Sequence, residues 1–553
     1  MTSSQGQSSY RNPCDETNRN LTVEEKGNVD RDDSSLQSDL GRQLTSKPSL
    51  EASSQFHSVI DRLRCRKQGQ LGPFTHPLGN EKTSADVIVC FNGSNDPYNP
   101  LNWAFRKKAL TTLLYALTTF GSTWASAIFS PGSKQVVAEF QVSQEVGELG
   151  VSLFLFGSGL GPFLWAPLSD IYGRKPAIIL PYFVAAIFAI ATAVSKDVQT
   201  ALITRFFCGF FSSAPVSNTG GIITDIWTAE HRGAPTVGFA LAVMAGPTIG
   251  PFVAASISHS YLGWRWTDYI TGIMMFFFLA LDIIFIDESC ATKLLEYKAR
   301  RLRHESGNWA LHARHEENEV STSQIMNTYL VIPFKLLLTP ICIAVALYAA
   351  FVYGLLYMNL SAYRVMFQEE RGWNQVVGSL PFLAVFVGIL MGAVAGLFNE
   401  IYYIKKFRQN NRQPVPEARL PPMMAGSLLF VAGLFIMGWT SPRKIFWFAS
   451  IVGAACTGFG FFTIFQAALC YLIDTFPSTS ASAVGGSTFL RNMIAGAFPF
   501  FTAFMYHGMG IAWAQSLLGF IAIALIPIPF LFYAFGAKIR AKSKMSRESH
   551  ALP

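Results

Sequence analysis

Four residues at fixed spacing, Asp170, Gly173, Arg174 and Lys175 in PLSDIYGRKP (Pro167–Pro176), form a dense charged turn between two apolar runs each long enough to cross a bilayer. Each such charge costs about 2.5 to 3.5 kcal/mol at a membrane centre, so the turn must lie at a membrane face. The chemistry available there is the making and breaking of ion pairs. Asp170 can reach Arg174 one helical turn away, and Asp225, at the inner end of the fourth apolar run, is a third member of the same network. A second chemistry, proton movement, needs ionisable groups inside the apolar runs or at their ends. Arg205, in RFFCG, is an intramembrane cation; Glu148, Asp225 and Asp474 are acids at run ends, and Asp282 lies in the sixth run. Such residues are functional candidates because burial without a partner is costly. Glu148 opens the second run on the side where Arg205 lies, which lets the two pair.

These groups can act only if helices hold them. Half of the 553 residues are hydrophobic and 14% are charged, where a soluble chain carries nearer a quarter charged. Windows of about 19 residues predict six spans between 109 and 286 and six between 338 and 535. The expected organisation is a disordered, polar cytoplasmic tail over 1–95, a six-helix bundle over 96–286, a cytoplasmic linker with an amphipathic helix over 287–337, a second six-helix bundle over 338–536 and a basic cytoplasmic tail over 537–553. No short apolar run follows a basic start, so no cleavable signal peptide is expected. No cysteine falls in an expected outer loop, and no disulfide is predicted.

Lysine and arginine set the orientation. With both termini inside, the inner loops hold Arg174, Lys175, Arg232, the linker's seven basic residues and Lys405, Lys406, Arg408, Arg412 and Arg419. The outer loops hold only Lys134, Lys196, Arg265, Arg364, Arg371, Arg443 and Lys444. The positive-inside rule then gives N-in and C-in. The net charge of +8 is explained by an anionic lipid bilayer, and no nucleic-acid partner is expected.

The halves echo one another. ITDIWTAEHRGAPTVG ends the fourth run and LIDTFPSTSASAVGG the tenth, so Asp225 and Asp474 each precede an aromatic residue by two positions. An internal repeat with six spans per half is what alternating access requires. The fifth run contains AGPTIGP, in which Gly246 and Gly250 let a neighbouring helix approach and Pro247 and Pro251 remove amide protons and bend the span.

PLSDIYGRKP after the second span resembles the loop signature of the major facilitator superfamily, and AGPTIGP in the fifth resembles the antiporter signature of its twelve-helix drug:proton antiporters. NDPYNPLNW, GWRWTDYI, PEARLPP and the stretch from Ala481 to Phe520 resemble the fungal multidrug and polyamine-type branch. The chain departs from the pattern at Ala166, at Asp287 to Cys290, and at Thr339 before the seventh span. The resemblance implies an all-α transmembrane fold of two six-helix bundles related by a pseudo-two-fold axis. It implies that Asp170 docks on the amino terminus of the eleventh span and that Arg205 is tied to proton movement. It also implies a cavity lined by the first, fourth, seventh and tenth spans, with Trp124, Asn218, Tyr353, Tyr357, Asn359, Phe465 and Gln466 as candidates. Aromatic walls with few fixed charges suit flat, apolar or weakly cationic compounds.

No Walker A pattern is present, which removes ATP-driven transport by this chain, and no Gly-x-Ser-x-Gly, His-Glu-x-x-His or Cys-x-x-Cys pattern suggests an enzyme or a metal site. The expected function is a secondary active exporter of small organic molecules such as drugs, toxins or secondary metabolites. It would use the proton gradient and no cofactor, as a monomer in the plasma membrane, with the vacuolar membrane as the alternative. Two other readings stay open: an uptake symporter of a nutrient or polyamine, and a transporter-like receptor.

Overall fold

In the computed structural model, which describes residues 88–91, 96, 98–317, 330–476 and 479–542, the apolar runs are helices. The first span is Phe105–Ala127; the second is Gln144–Leu160 followed by Pro162–Tyr172; the third to sixth are Arg174–Ala193, Val198–Ile226, Gly233–His259 and Arg265–Phe285. A linker helix, Ala291–Ser306, follows. The seventh to eleventh spans are Pro340–Tyr363, Pro381–Gln409, Pro421–Trp439, Trp447–Thr475 and Ser480–Met509, and the twelfth is Ile511–Leu525 with Pro527–Lys542. Pro162 lacks the amide proton that would continue the second span, which bends there by 40°. The fourth span is started by Asp197, whose carboxylate accepts the Thr200 amide at 3.0 Å. The seventh span runs on into a π-helical segment, Arg364–Glu370.

Eight of these helices are long and apolar enough to cross a membrane by themselves, and the bent second span makes nine. The first, fourth and eleventh are more polar because their serines and threonines face other helices. On the first span the hydroxyls of Thr118, Thr119 and Ser122 are buried and donate to the carbonyls of Leu114, Tyr115 and Thr118, so these three are satisfied within their own helix. The twelfth span is the opposite case, with Trp513, Phe520 and Leu531 exposed for lipid.

Helix packing repeats between the halves. The first span packs on the fifth as the seventh packs on the eleventh, the second on the fourth as the eighth on the tenth, and the third on the sixth as the ninth on the twelfth. The halves meet where the second span touches the eleventh and the fifth touches the eighth. Glycine makes the closest crossings: a Cβ at Gly209 would lie 2.8 Å from the carbonyl carbon of Phe154, and one at the corresponding Gly458 would lie 2.8 Å from that of Val385.

All spans belong to one compact unit of Ser94–Leu294 and Glu319–Leu552. The described residues 88–91 and 295–317 belong to a smaller unit. In it, Ile88 bridges to His312, the Val89 amide donates to the His312 carbonyl at 2.8 Å, and Lys298 donates to the Cys90 carbonyl at 2.9 Å. His312 sits against Glu317 at 2.7 Å; burial opposes its protonation, but hydrogen bonds to Ala310 and Glu317 outweigh it and raise its pKa. Cys90 is disulfide-bonded, against the sequence expectation of none. That expectation weighed only the outer loops, and Cys90 stands outside them. The remainder of the expected tail, and the linker from 318 to 329, lie outside the described residues.

Candidate functional site

The loop signature is built around a strained glycine. Gly173 has φ +102°, a conformation open to glycine, and reverses the chain between the second and third spans. Behind it stands Glu288, whose two oxygens accept the amides of Arg174 at 2.9 Å and Lys175 at 3.1 Å, capping the third span. A Cβ at Gly173 would come within 2.6 Å of that carboxylate. Lys175 donates to the carbonyls of Ile283 and Ile286, which end the sixth span. Arg174 is shared between Asp170 at 2.6 Å and Asp225 at 2.8 Å, the three-member network expected from the sequence. The segment Pro162–Tyr172 packs on the eleventh span.

The second half repeats this network with different residues. Asp474, at the end of the tenth span, accepts from Arg419 at 3.2 Å, from the Tyr403 hydroxyl at 2.9 Å and from Arg232 at 2.8 Å, and Arg419 also pairs with Glu400. Glu400 on the eighth span thus stands where Asp170 stands on the second, and Arg419 where Arg174 stands. Sequence reading missed both because their loop is long, placing 19 positions between acid and base instead of four. The signal available was the position of NEIYY and PEARLPP relative to the eighth and ninth spans. Arg232 lies between the fourth and fifth spans, so its bond to Asp474 crosses from one half to the other, as does Arg408 to Glu230. The hydrogen bond from Arg408 holds the Glu230 carboxyl below its ordinary value.

At the opposite end the contacts across the halves include Glu148 with Arg364 at 3.0 Å, Arg364 to the Ser133 hydroxyl at 3.5 Å and the Gln375 amide to the Pro131 carbonyl at 2.8 Å. The pairing allowed by sequence between Glu148 and Arg205 does not form. Arg205, 1% exposed, donates to the carbonyls of Gly150, Ala125 and Ser126 at 3.1, 2.7 and 3.1 Å, between the rings of Phe129 and Phe154. Its acid is Asp268 on the sixth span, at 3.7 Å, and neither oxygen of Asp268 accepts a hydrogen bond among the described residues. Asp282, also on the sixth span, accepts from the Thr118 hydroxyl at 2.6 Å through one oxygen.

In the antiporter-like motif, a Cβ at Gly246 would lie 2.6 Å from the Thr123 carbonyl carbon, so the fifth span is in contact with the backbone of the first. Gly250 is looser, 3.6 Å from the Trp124 carbonyl oxygen. Pro247 and Pro251 are both buried in the same face.

A central cavity lies between the halves, lined from the first, second, fourth, seventh and eleventh spans. Of the expected lining residues, Tyr353 and Tyr357 line it, with hydroxyls 3.3 Å apart and the Tyr357 hydroxyl 2.7 Å from Ser126. Phe465 stacks on Tyr353 from behind. Trp124 instead donates to Thr271, Asn218 to the Trp165 carbonyl and Gln466 to the Cys470 sulfur, so these three serve helix packing, and Asn359 is buried on the seventh span. The lining that sequence reading missed includes Ser126, Ser213, Thr488, Arg491 and Asn492. Arg491 satisfies the criterion that singled out Arg205, a cation within an apolar run.

Comparison with known proteins agrees with this architecture. Residues 115–498 match the family described as Major Facilitator Superfamily. The efflux pump bik6 of Gibberella fujikuroi is 49% identical over 85% of this chain and 97% of its own length. The citrinin biosynthesis cluster transporter ctnC of Monascus purpureus is 36% identical over 85% of this chain and 95% of its own. Among solved structures, the human organic anion transporter MFSD10 has a TM-score of 0.52 at 15% identity over 76% of this chain and 99% of its own, and the xylose transporter XylE of E. coli 0.54 at 15% over 78% and 98%. Both share the fold. With twelve helices in two matched bundles, a salt-bridged turn at each half's basic end and a polar cavity between them, the chain belongs to the major facilitator superfamily of membrane transporters.

Proposed function

We propose that this transporter exports small organic molecules from the cytosol in exchange for protons, as a monomer in the plasma membrane with both termini cytoplasmic. The basic loops support that orientation, since anionic lipid attracts them. The observation that carries the export reading is the contact of Gly246 with the first span, which places the antiporter-like motif of the fifth span beside the cavity-forming helices. The efflux pump of Gibberella fujikuroi and the cluster transporters of Monascus point the same way.

Proton coupling falls to Arg205 and Asp268. Their pair is fully buried, and the carboxylate accepts no hydrogen bond among the described residues, so it can exchange its ion pair for a proton when the halves move. Asp225 and Asp474, each locked by arginine, act as gate residues, and Glu148 belongs to the opposite gate. The test is efflux of preloaded carboxyfluorescein from cells expressing wild type or Asp268→Asn, at matched surface expression and imposed proton gradients. Gradient-driven efflux by wild type is expected, and the variant is expected to keep substrate exchange down a gradient while losing uphill efflux. Gradient-driven accumulation would overturn the direction, and uphill efflux by the variant would remove Asp268 from coupling.

A further inference from the structure

The eleventh span carries a cation that no carboxylate among the described residues neutralises. Arg491 stands eleven residues inside Ser480–Met509, about 16 Å along the helix at about 1.5 Å per residue, and is 6% exposed. Its guanidinium carbon lies 4.5 Å from the ring centre of Tyr353 and 4.8 Å from that of Phe465, two rings stacked at 23°. The titratable groups acting on it are the neutral phenols Tyr353 and Tyr357; no carboxylate reaches it among the described residues, and its Nε has no hydrogen-bond partner. Other buried arginines are treated differently. Arg205 has three carbonyls and Asp268, Arg419 has Glu400 and Asp474, and Arg371 has the carbonyls of Ile445 and Thr440.

A cation at this depth without a counter-charge is costly. Ring faces offset part of that cost on one side, but the other side of Arg491 opens into the central cavity beside Asn492, Ser126, Ser213 and Thr488. Those groups can donate or accept hydrogen bonds, and none carries charge. A guanidinium whose carbon sits over two rings keeps N–H groups for a further partner, and a carboxylate can accept such a fork with two oxygens. Phe154, Leu155 and Val216 supply apolar wall to the same cavity.

We propose that this cavity binds an apolar organic anion, whose carboxylate completes the ion pair of Arg491 and whose body lies against Phe154, Leu155 and Val216. This replaces the expectation of weakly cationic compounds, which a fixed buried cation repels. It deepens the transport reading and rests on it only for the steps after binding, because equilibrium binding is independent of direction and coupling.

The test uses the purified full chain in lipid nanodiscs and three radiolabelled probes of one shape: 2-naphthoate, its neutral methyl ester and 2-naphthylmethylammonium. Wild type is expected to bind 2-naphthoate at least about tenfold more tightly than either of the others, as a charge-assisted bidentate contact implies. Arg491→Gln is expected to lose that preference while holding the ester within about twofold, and Arg491→Lys to fall between. The melting temperature of Arg491→Gln should equal or exceed that of wild type, because an uncompensated buried charge has been removed. Equal or stronger binding of the ammonium or the ester, no binding of 2-naphthoate, or unchanged naphthoate affinity in Arg491→Gln would overturn the proposal. So would an Arg491→Gln protein that melts lower and loses the ester too, since that marks a structural arginine. Naphthoate bound selectively but never moved uphill would sink the export reading and leave this site standing.

Discussion

At the scale of single residues, buried charge is where this chain concentrates its chemistry, and each charge is answered differently. Gly173 must hold φ +102° while Glu288 presses on it, so Gly173→Ala forces both a disfavoured backbone and a clash. About 1 to 3 kcal/mol of strain is expected, read as a lower unfolding temperature by intrinsic tryptophan fluorescence and as loss of efflux. Asp474 is the hub of the second network, 2% exposed and bonded to Arg232, Arg419 and Tyr403. Removing one partner of a buried pair costs about 3 to 5 kcal/mol; Asp474→Ala should fall at the low end because Glu400 still neutralises Arg419, and the same unfolding measurement checks it. Sequence made Asp170, Arg174 and Asp225 legible because their acid and base lie within one helical turn or at a span end. Glu288, Glu400, Arg419 and Asp268 were not legible as partners because each acts across a long sequence separation, and only folding brings them to the groups they bond.

Elements were easier to read than their contacts. Apolar run length predicted the spans, and lysine and arginine marked their basic ends, since both depend on composition alone. Which face of a span meets which neighbour depends on packing, and this is why Trp124, Asn218 and Gln466 looked like cavity residues but bond to neighbouring helices or within their own. The antiporter-like motif separates under this view into a tight and a loose glycine. Gly246→Ala would push a methyl group into the backbone of the first span, whereas Gly250→Ala meets ordinary contact distances. The first should therefore lower thermal stability by about 1 to 3 kcal/mol, and the second should be neutral or slightly stabilising, since alanine favours helix over glycine by about 1 kcal/mol. Equal effects would show that the two glycines do the same job. The loop acid Glu230 gives a pH expectation. Its carboxyl is held below its ordinary value by Arg408, so the contact is present above that ordinary value and is lost only as pH falls through the depressed one. Glu230→Gln should then shift the closure of the basic end by the same amount at pH 5.5 as at pH 7.5, measured by cysteine accessibility from that side.

For the whole molecule, the two ends are held by different pairs: Arg232 with Asp474 and Arg408 with Glu230 at the basic end, Arg364 with Glu148 at the other. Removing a pair on one side biases the equilibrium toward opening there, because the opposite closure is untouched. Arg364→Ala should raise maleimide labelling of a Ser361→Cys reporter about fivefold, the population change for about 1 kcal/mol of lost interaction. Labelling that falls or stays constant would show that this pair does not hold the end shut. The glycine crossings described for the fold carry a further consequence. Within each half they set backbone on backbone, at Gly209 over Phe154 and Gly458 over Val385, and such seams cannot slide without steric conflict. Where the halves meet, the glycines face the tips of side chains instead: Gly496 faces the ring edge of Phe156, and Gly159 the methyl end of Met493. Rings turn and thioethers swing at little cost. The molecule is thus built as two stiff blocks on a compliant bearing, and stiffening that bearing, as by Met493→Ile, should slow the turnover of bound cargo while leaving its affinity alone.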